Sequence, residues 1–330
     1  MENSSGVLVI IPVMNRPDAI VLTLEAVRKQ TLQPEHVVVV DDGSTDNTPD
    51  VVSKWLDNST LAFSTQLIVH SLNKGASDAR NTGLRQVQGK YPYVYFLDSD
   101  DIPPPDFLEK AVFALKNKPN AVAVSSDRII KDSSNNKTTR YNQRKIFKNP
   151  WLWFFTMGAG IASCTVFRSK FIYKLGGYNE AIPTGHDVEL FMRVADLGRW
   201  LHITDCPVIF NRLASRLSDR FRDKHIIWCL GFENSALIST AQKHIPLKKY
   251  RRVLAHRWRR AGQIALAENC RCVDIAEDCF RRSLAWSLYN KAVIHLFMLY
   301  LRKGLRIDWL RALAYKSYRR LRLTLSKHRV

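Results

Sequence analysis

VYFLDSDDIPPPD, residues 94–106, joins an apolar run to three acids that stand within four residues of one another. The apolar and aromatic residues Val94–Leu97 predict a buried strand. Asp98, Asp100 and Asp101 follow at once, so the strand ends in clustered negative charge. Carboxylates this close repel one another unless a positive group lies among them. The stretch therefore predicts a core strand whose end carries a polar site.

Strands and helices alternate on both sides of this stretch. Runs such as VLVIIPV, which are apolar along their whole length, are typical of strands covered on both faces. The predicted strands are 7–13, 36–44, 67–72, 93–101, 121–126 and 201–210, with a polar loop or hairpin at 127–150. The predicted helices are Asp18–Gln30, Pro49–Leu56, Ser77–Val87, Phe107–Lys116 and Asp187–Asp196. This alternation predicts an α/β fold with a mostly parallel sheet and helices on both faces.

The basic charge of the chain is concentrated in its last third. The formal net charge is +20 over 330 residues, and the segment 221–330 holds 24 Lys and Arg against 7 Asp and Glu, a net of +17. The composition becomes rich in Arg, Leu and Ala near residue 220 and reads as helical from there. We therefore predict an α/β domain at 1–220 and a basic, all-helical C-terminal extension at 221–330. Such an extension favours contact with anions.

The sequence predicts contact with the surface of a membrane rather than a membrane span. The longest late apolar stretch, 292–301, is shorter than the about 20 residues that a span needs, and the N-terminus lacks the pattern of a signal peptide. The segment 309–329, WLRALAYKSYRRLRLTLSKHR, mixes aromatic, leucine and basic residues as interfacial helices do. We expect a cytoplasmic protein, peripheral on the inner face of an anionic membrane.

Polar side chains follow three of the predicted strands at the point where each strand ends. These are PVMNR at 12–16, the pair Asp41 and Asp42, and the DSD segment at 98–100. In an open parallel sheet, ligands bind beyond the carboxyl ends of the strands. Mg²⁺ and Mn²⁺ prefer carboxylate oxygens and are commonly completed by substrate phosphate. The pattern therefore predicts a divalent cation (Mn²⁺ or Mg²⁺) that holds a diphosphate at this edge.

Five segments, taken in chain order, resemble the motifs of family 2 glycosyltransferases. They are IIPVMNR, VVVVDDGSTDNT, NKGASDARNTG, FLDSDD and GHDVELFMRV, and the resemblance runs from about Val7 to Ser218. It implies a GT-A fold and the inverting transfer of a sugar from a nucleotide-sugar donor, with a divalent cation. A UDP-sugar is the expected donor, and a hydroxyl of a glycan or lipid-linked molecule is the expected acceptor.

The resemblance also implies roles for individual residues. The residues expected to pack on the nucleoside are Pro12, Val13, Met14 and Asn15. Asp42 is expected to accept a hydrogen bond from the uracil ring, and Arg80 to line the nucleotide pocket together with Lys74 and Gly75. The DxD motif is Asp98, Ser99 and Asp100. Asp98 is expected to contact ribose or donor sugar, and Asp100 is expected to ligate the metal. Both acids are assigned to the metal site.

Asp187 in GHDVELFMRV matches the catalytic base of the family. A base of this kind removes the proton from the acceptor hydroxyl as that oxygen attacks the anomeric carbon. The chain departs from the family pattern at Ala214, which stands where members often carry a metal-binding histidine. A third metal ligand is therefore left open, with Arg212 or Arg216 as an alternative contact for the diphosphate.

Several of these residues also have a purely structural interpretation. Asp187 could close a capping box with Thr184 at the start of its helix. Arg80 could pair with Asp78 or with a helix terminus instead of binding phosphate. The aromatic cluster at 151–155 could pack in the core or stack on a sugar or lipid.

Two other functions are compatible with parts of the sequence. A sugar nucleotidyltransferase shares a similar core but begins with a Gly-rich loop after its first strand, and PVMNRPDA contains no glycine. A non-catalytic nucleic-acid-binding protein would fit the overall charge. It would also carry basic residues along its whole length, whereas residues 1–220 are nearly neutral. Nucleic acid is therefore not an expected partner.

Overall fold

The structure is a computed structural model that describes residues 6–87, 89–132, 137–143, 148–157, 161–182, 185–212, 226, 229, 241, 243–267, 273–288 and 291–302. The chain divides into two compact units, Met1–Leu217 and Ser218–Val330. The separate roles predicted for 1–220 and 221–330 stay predictions. Thr184, Ala214, Arg216 and the segment 309–329 lie outside the described residues.

The first unit is built on a seven-stranded and a four-stranded sheet. Its strands are β1 (Val7–Val13), β2 (His36–Asp41), β3 (Ser64–Val69), β4 (Tyr93–Phe96), β5 (Asp101–Ile102), β6 (Ala121–Ser125), β7 (Arg128–Asp132), β8 (Lys137–Tyr141), β9 (Thr165–Arg168), β10 (Arg199–His202) and β11 (Val208–Arg212). The larger sheet has the order β10-β6-β9-β4-β1-β2-β3, and the smaller has the order β5-β11-β7-β8. In the larger sheet β9 runs antiparallel to β4 and β6, and the other pairs are parallel. The predicted mostly parallel sheet is confirmed.

The central strands are buried because their sequences are apolar without interruption. All seven residues of β1 are buried, and so are the four valines of β2. Successive side chains of a strand point to opposite faces, so continuous burial means that both faces of the sheet are covered. Full burial of each such side chain stabilises the fold by about 1.5–3 kcal/mol. These two strands therefore belong to the buried interior of the sheet.

Seven α-helices of the first unit lie within the described residues. They are α1 (Pro17–Arg28), α2 (Thr48–Asn58), α3 (Ala76–Val87), α4 (Phe107–Lys116), α5 (Pro150–Met157), α6 (Ser169–Lys174) and α7 (His186–Ala195). In α1, proline stands at the first helical position, where its missing N–H costs no hydrogen bond. Ile20, Leu24 and Val27 of this helix share one buried face, as their spacing predicts.

The prediction of a single strand at 201–210 is wrong. The chain forms two short strands there, β10 in the larger sheet and β11 in the smaller. Between them Asp205 has a positive φ of 61° and Pro207 lacks the N–H that a ladder needs, so the chain leaves the first sheet.

The strand β9 has no counterpart in the sequence prediction. The hairpin alternative for 127–150 is confirmed by the antiparallel pair β7 and β8.

The aromatic cluster at 151–155 belongs largely to the core. Trp151, Phe154 and Phe155 are buried, and the ring of Phe154 packs edge-on against Phe191 and Trp200, with centroid distances of 5.4 and 4.9 Å. Core packing therefore accounts for these three rings. Stacking on a ligand is not needed to explain why these three aromatic residues are present.

The second unit is helical where it is described. It contains α8 (Leu247–Ala267), α9 (Val273–Trp286) and α10 (Ala292–Arg302). One face of α8 is fully buried through Tyr250, Leu254 and Trp258, which recur every four residues. The predicted helical extension is confirmed for these segments. Within the described part of the chain, every helix is too short or too polar to span a bilayer.

Candidate active site at the carboxyl edge of the sheet

Neighbouring strands bring the predicted site residues to one edge of the larger sheet. β1 lies between β4 and β2, and all three run parallel. The register pairs Val13 with Asp41 and Ile10 with Phe96. The segments that follow these strands, from Asn15, Asp42 and Leu97 onward, therefore begin at the same edge.

Asn15 closes a turn between the ends of β1 and β2. Its backbone has a positive φ of 51°, a conformation that asparagine tolerates better than most residues. Its N–H donates to Oγ of Ser44 at 2.9 Å, and its Oδ1 accepts from the N–H of Thr45 at 2.8 Å. Asp41 accepts from the N–H and the hydroxyl of the same serine. The segment Pro12–Asn15 is thus fixed beside this turn, with Pro12 and Val13 buried in β1.

Asp42 holds the loop that carries Lys74 and Gly75. Its Oδ1 accepts from the N–H of Lys74 at 2.9 Å, its Oδ2 accepts from the N–H of Gly75 at 2.8 Å, and Nδ1 of His70 lies 3.0 Å from Oδ1. A carboxylate has about four acceptor positions, so these contacts leave capacity for one more donor. Sequence reasoning did not identify His70, because the histidine reads as one more residue of a strand.

Arg80 is buried between two groups of the site. Its guanidinium donates to Oδ1 of Asp98 at 2.6 Å and to Nε2 of His186 at 3.0 Å, and it lies 5.1 Å from the ring centre of Tyr178. Burial alone would lower the pKa of Arg80. The electrostatic effects of Tyr178, Asp98 and Asp187 outweigh burial, so the pKa is raised above its ordinary value. The alternative pairing with Asp78 is wrong: the acid that Arg80 binds is the first acid of the DxD motif.

The DxD motif lies in a tight turn after β4. The N–H of Asp98 donates to the hydroxyl of Ser163 at 3.0 Å, and the N–H of Asp101 donates back to the carbonyl of Asp98 at 3.1 Å. Ser99 is buried, while the side chain of Asp98 is 38% exposed. The side-chain amide of Asn211 in β11 donates to the carbonyl of Asp100 at 3.3 Å. Ser163 and Asn211 support the motif from distant segments, which no local pattern could have revealed.

Asp98 and Asp100 fit a site for Mg²⁺ or Mn²⁺ by their chemistry. Arg80 engages one oxygen of Asp98, and the exposure of that side chain leaves acceptor capacity toward solvent. Across the described ranges, no group of three or more His, Cys, Asp or Glu side chains could hold a metal by itself. A cation bound by one or two carboxylates and completed by phosphate oxygens needs no such group. The predicted cation is compatible with these residues and stays a prediction.

Asp187 lies in the first turn of α7, close to Arg80 and His186. The helix is preceded by Gly185 with a positive φ of 78°, and a carboxylate is favourable at a helix N-terminus. Oδ1 of Asp187 lies 3.7 Å from Nε2 of His186 and is buried, without a hydrogen-bond partner in the described structure. A buried acceptor of this kind is rare and calls for a ligand or a water. The capping box with Thr184 falls outside the described residues.

Burial shifts the titration of the two aromatic groups beside Asp187. It lowers the pKa of His186 below its ordinary value, against the opposing effect of Asp187, so this histidine is neutral at neutral pH. Burial and then the charge of Asp187 raise the pKa of Tyr178 well above its usual range. The Tyr178 hydroxyl is close enough to Asp187 for its pKa to respond to that acid, and it has no hydrogen-bond partner in the described structure. Sequence reasoning missed Tyr178, which stands in an ordinary GGYNE turn.

A cavity of about 1060 Å³ lies at the other end of the strands, near the start of β4. Tyr91, Arg168 and Tyr173 are among its lining residues, and none of the predicted site residues lines it. Arg168 is occupied there by the backbone carbonyls of Leu115 and Ala121. The chemistry of the carboxyl edge is thus separate from this cavity.

Comparisons with known proteins agree with the fold and with the motifs. The family described as Glycosyl transferase family 2 matches residues 8–176, which is half of the chain. One relative, the UDP-Glc:alpha-D-GlcNAc-diphosphoundecaprenol beta-1,3-glucosyltransferase WfaP of Escherichia coli, is 37% identical over 95 residues, which cover 29% of this chain and 35% of that protein. The chain spans about a third or less of the length of the curated relatives that it matches.

Two solved structures share the fold over nearly the whole chain. Staphylococcus aureus TarS 1–349 in complex with UDP-GlcNAc matches with a TM-score of 0.62 and 17% identity, over 98% of this chain and 92% of that one. The mannosyltransferase PcManGT from Pyrobaculum calidifontis, in complex with GDP-Man and Mn²⁺, matches with a TM-score of 0.53 and 20% identity, over 94% and 86%. At these identities the likeness concerns the fold, which is the predicted GT-A type. With the family match over half of its length, the chain belongs to glycosyl transferase family 2.

Proposed function

We propose that this protein is an inverting glycosyltransferase that moves a sugar from a UDP-sugar to a hydroxyl of a glycan or lipid-linked acceptor. One observation carries the proposal. The buried guanidinium of Arg80 links the carboxylate of Asp98 to the start of α7, where Oδ1 of Asp187 lacks a partner among the described residues. An acid for the donor side and a base for the acceptor side therefore belong to one connected cluster.

Asp187 is the proposed general base. It accepts the proton of the acceptor hydroxyl while that oxygen forms a bond to the anomeric carbon and the bond from that carbon to the diphosphate breaks. A single displacement of this kind inverts the anomeric configuration, and it requires one base. Arg80 orients Asp98 through the 2.6 Å contact. A divalent cation held by Asp98 and Asp100 would offset the negative charge of the departing diphosphate when it is bound.

The donor is proposed to be a UDP-sugar bound along the carboxyl edge. The segment Pro12–Asn15 would pack on the nucleoside, and the one acceptor position left on Asp42 suits the ring N–H of uracil. Lys74 and Gly75 would line the same pocket, because their backbone is anchored to Asp42. The UDP-GlcNAc bound by TarS and the UDP-Glc in the name of WfaP support this choice of nucleotide.

The acceptor is proposed to be a glycan or a lipid-linked molecule at an anionic membrane surface. The diphosphoundecaprenol in the name of WfaP supports a lipid-linked acceptor. The helix α8 supports the membrane surface, because it holds seven Lys and Arg and no acid. Among these, Lys248, Lys249, Arg251 and Arg252 are exposed. Each basic residue near an anionic bilayer contributes about 1 kcal/mol of attraction.

The activity is tested by measuring UDP or GDP release from a panel of UDP-glucose, UDP-GlcNAc, UDP-galactose and GDP-mannose, with Mn²⁺ or with EDTA. UDP-sugars should be hydrolysed fastest, and chelation should abolish turnover. Asp187→Asn should lower turnover by about 10²–10⁴-fold while donor binding is kept, and Asp100→Ala should lose both. The matched control is Asp50→Asn, which also removes a first-turn acid, from the exposed start of α2. Turnover of Asp187→Asn at the level of this control would show that another group is the base.

Membrane binding is tested by cosedimentation with vesicles of phosphatidylcholine alone or mixed with phosphatidylserine. Replacing Lys248, Lys249, Arg251 and Arg252 with glutamine should weaken binding to the mixed vesicles by about 4 kcal/mol, roughly a thousandfold in the partition constant. Arg281→Gln is the control, because Arg281 is already paired with Glu277 in α9. Equal binding to both vesicle types would remove the membrane from the proposal.

A further inference from the structure

The cavity near the start of β4, here called the β4 cavity, is a preformed and open space between α3 and α6. Its lining residues belong to α3, to the segment 89–92, to Arg168 with α6 and to the turn at 176–177. The hydroxyl of Tyr173 donates to the carbonyl of Leu84 at 3.2 Å, which ties α6 to α3. Four of the lining residues are exposed to solvent: Gly89, Pro92, Lys170 and Gly176. A volume of about 1060 Å³ suits a ligand much larger than a single ion.

Positive charge without a paired acid surrounds the β4 cavity. Arg168 and Lys170 line it, and Nζ of Lys90 lies 5.5 Å from the ring centre of the lining residue Tyr91. None of these three cations forms an ion pair in the described structure, and none of the described lining residues is an acid. The first 220 residues are nearly neutral, with 26 Lys and Arg against 23 Asp and Glu. Cations gathered at one concave surface of such a domain attract anions, because the cavity focuses their field.

Arg168 keeps hydrogen-bond donors for a ligand on the wall of this cavity. Its Nε donates to the carbonyl of Ala121 at 2.9 Å, and its Nη2 donates to the carbonyls of Leu115 and Lys118 at 2.6 and 3.4 Å. These acceptors are neutral, so the charge of the guanidinium is not compensated. A guanidinium has five N–H donors, and the two on Nη1 make no hydrogen bond in the described structure. They are left for an oxyanion, with which a guanidinium forms strong, charge-assisted bonds.

We propose that the β4 cavity binds an acidic glycan. Carboxylates of the glycan pair with the three unpaired cations, and the apolar faces of its sugar rings pack on Pro92 and on the half-buried ring of Tyr173. Single-stranded nucleic acid fits less well, because it needs free aromatic rings on which bases stack. The ring of Tyr91 is buried and already stacked on His36, with ring centres 5.9 Å apart. That the bound glycan is the acceptor chain rests on the proposed function.

The β4 cavity and the carboxyl edge lie at opposite ends of β4. From Tyr93, at the cavity end, to Asp98, just beyond the other end, the chain advances five residues, which is about 16 Å at the rise of a strand. A glycan in the cavity therefore leaves the catalytic edge free. We expect glycan and nucleotide to bind independently, with the cavity holding a part of the acceptor that is distant from the reacting hydroxyl.

Lysine acetylation of the full chain, read by mass spectrometry, tests this inference at the level of single residues. The probes are a hyaluronan oligosaccharide, which carries carboxylates, and an uncharged malto-oligosaccharide of the same length. Saturating hyaluronan should slow the acetylation of Lys90 and Lys170 by at least about fivefold, and the uncharged glycan should not. Lys29 and Lys54 are the internal controls, because they are exposed and lie outside the cavity.

A pair of double variants measures how much the cavity cations contribute to affinity. Both are made in the chain whose four exposed α8 cations are replaced with glutamine, so that the basic surface of the second unit contributes less to binding. Replacing Lys90 and Lys170 with glutamine should weaken binding of labelled hyaluronan by about tenfold. Replacing Lys29 and Lys54 in the same way removes equal charge and should change the affinity by less than about twofold.

Unchanged acetylation of Lys90 and Lys170, with protection only of Lys248 and Lys249, would overturn the inference, because the glycan would then bind the second unit alone. Equal protection of Lys170 by a single-stranded oligodeoxynucleotide of similar charge would also overturn it. Protection that disappears with saturating UDP and Mn²⁺ would place the glycan at the catalytic edge and contradict the separate site. Absence of turnover with every donor would count against the proposed function, while protection of Lys170 would still decide this inference.

Discussion

Asp42→Asn should loosen the loop that carries Lys74 and Gly75, because the carboxylate of Asp42 anchors it by hydrogen bonds on both oxygens. An asparagine can keep its oxygen toward Lys74 and His70. Its amide group then faces the N–H of Gly75, where a donor meets a donor. The loss of a hydrogen bond to a charged acceptor costs about 1.5–3 kcal/mol, and the bonds that remain weaken because their acceptor is now neutral. We expect a total of about 3 kcal/mol.

Amide hydrogen exchange of a peptide that covers residues 70–76 measures this effect locally. A fall of about 3 kcal/mol in the free energy of loop opening increases the exchange rates of the Lys74 and Gly75 amides by about two orders of magnitude. The control is Asp41→Asn, since the side chain of Asp41 bonds the N–H and hydroxyl of Ser44 in the described structure, and an asparagine can satisfy both. Exchange in Asp42→Asn within threefold of wild type would refute the assignment of Asp42 as the anchor of this loop.

Three further predictions concern stability. Gly43→Ala should lower the free energy of unfolding in urea by at least about 2 kcal/mol more than Gly176→Ala does. Both glycines have a φ of +73°, but only at Gly43 would the new methyl lie 2.5 Å from the backbone. Equal losses in the two variants would contradict this prediction. Because burial lowers the pKa of His186, the unfolded chain takes up this proton at a higher pH than the folded chain does. The free energy of unfolding should therefore fall below about pH 6.5, by up to about 1.4 kcal/mol per pH unit for this group, and less steeply in His186→Gln. Parallel pH profiles of the unfolding midpoint in the wild type and the variant would refute this prediction. Arg80→Lys should lower the thermal midpoint, because an ammonium cannot reproduce the forked contact with Asp98 and His186, and an unchanged midpoint would show that the fork is dispensable.

The sequence predicts the central part of the fold because apolar runs and strand ends are local signals. β1, β2 and α1 follow from such patterns, and so does the grouping of Asn15, Asp42 and Asp98 at one edge, since parallel neighbours bring their ends together. β9 could not be predicted in the same way. It is four residues long and enters the sheet antiparallel between strands that are distant in sequence.

The contacts that give the candidate site its chemistry are also nonlocal. Arg80 meets Asp98 across 18 residues and His186 across 106. The motif alone favoured a phosphate contact for Arg80, and only the fold reveals the pairing with Asp98. Tyr178 carries no motif of its own and becomes notable because its hydroxyl is buried beside Asp187. Residue types and order thus indicated the chemistry, while tertiary packing determined the partners.

Calorimetric titration of UDP into the full chain, with Mn²⁺ or with EDTA, tests the central claim most directly. The proposed mechanism requires a cation and a nucleoside diphosphate to bind together among the carboxylates at the edge of the sheet. It predicts that UDP binds in the presence of Mn²⁺, that chelation weakens this binding at least tenfold, and that Asp100→Ala binds UDP equally weakly under both conditions. Equal affinity of the wild type with Mn²⁺ and with EDTA, or no binding under either condition, would contradict it.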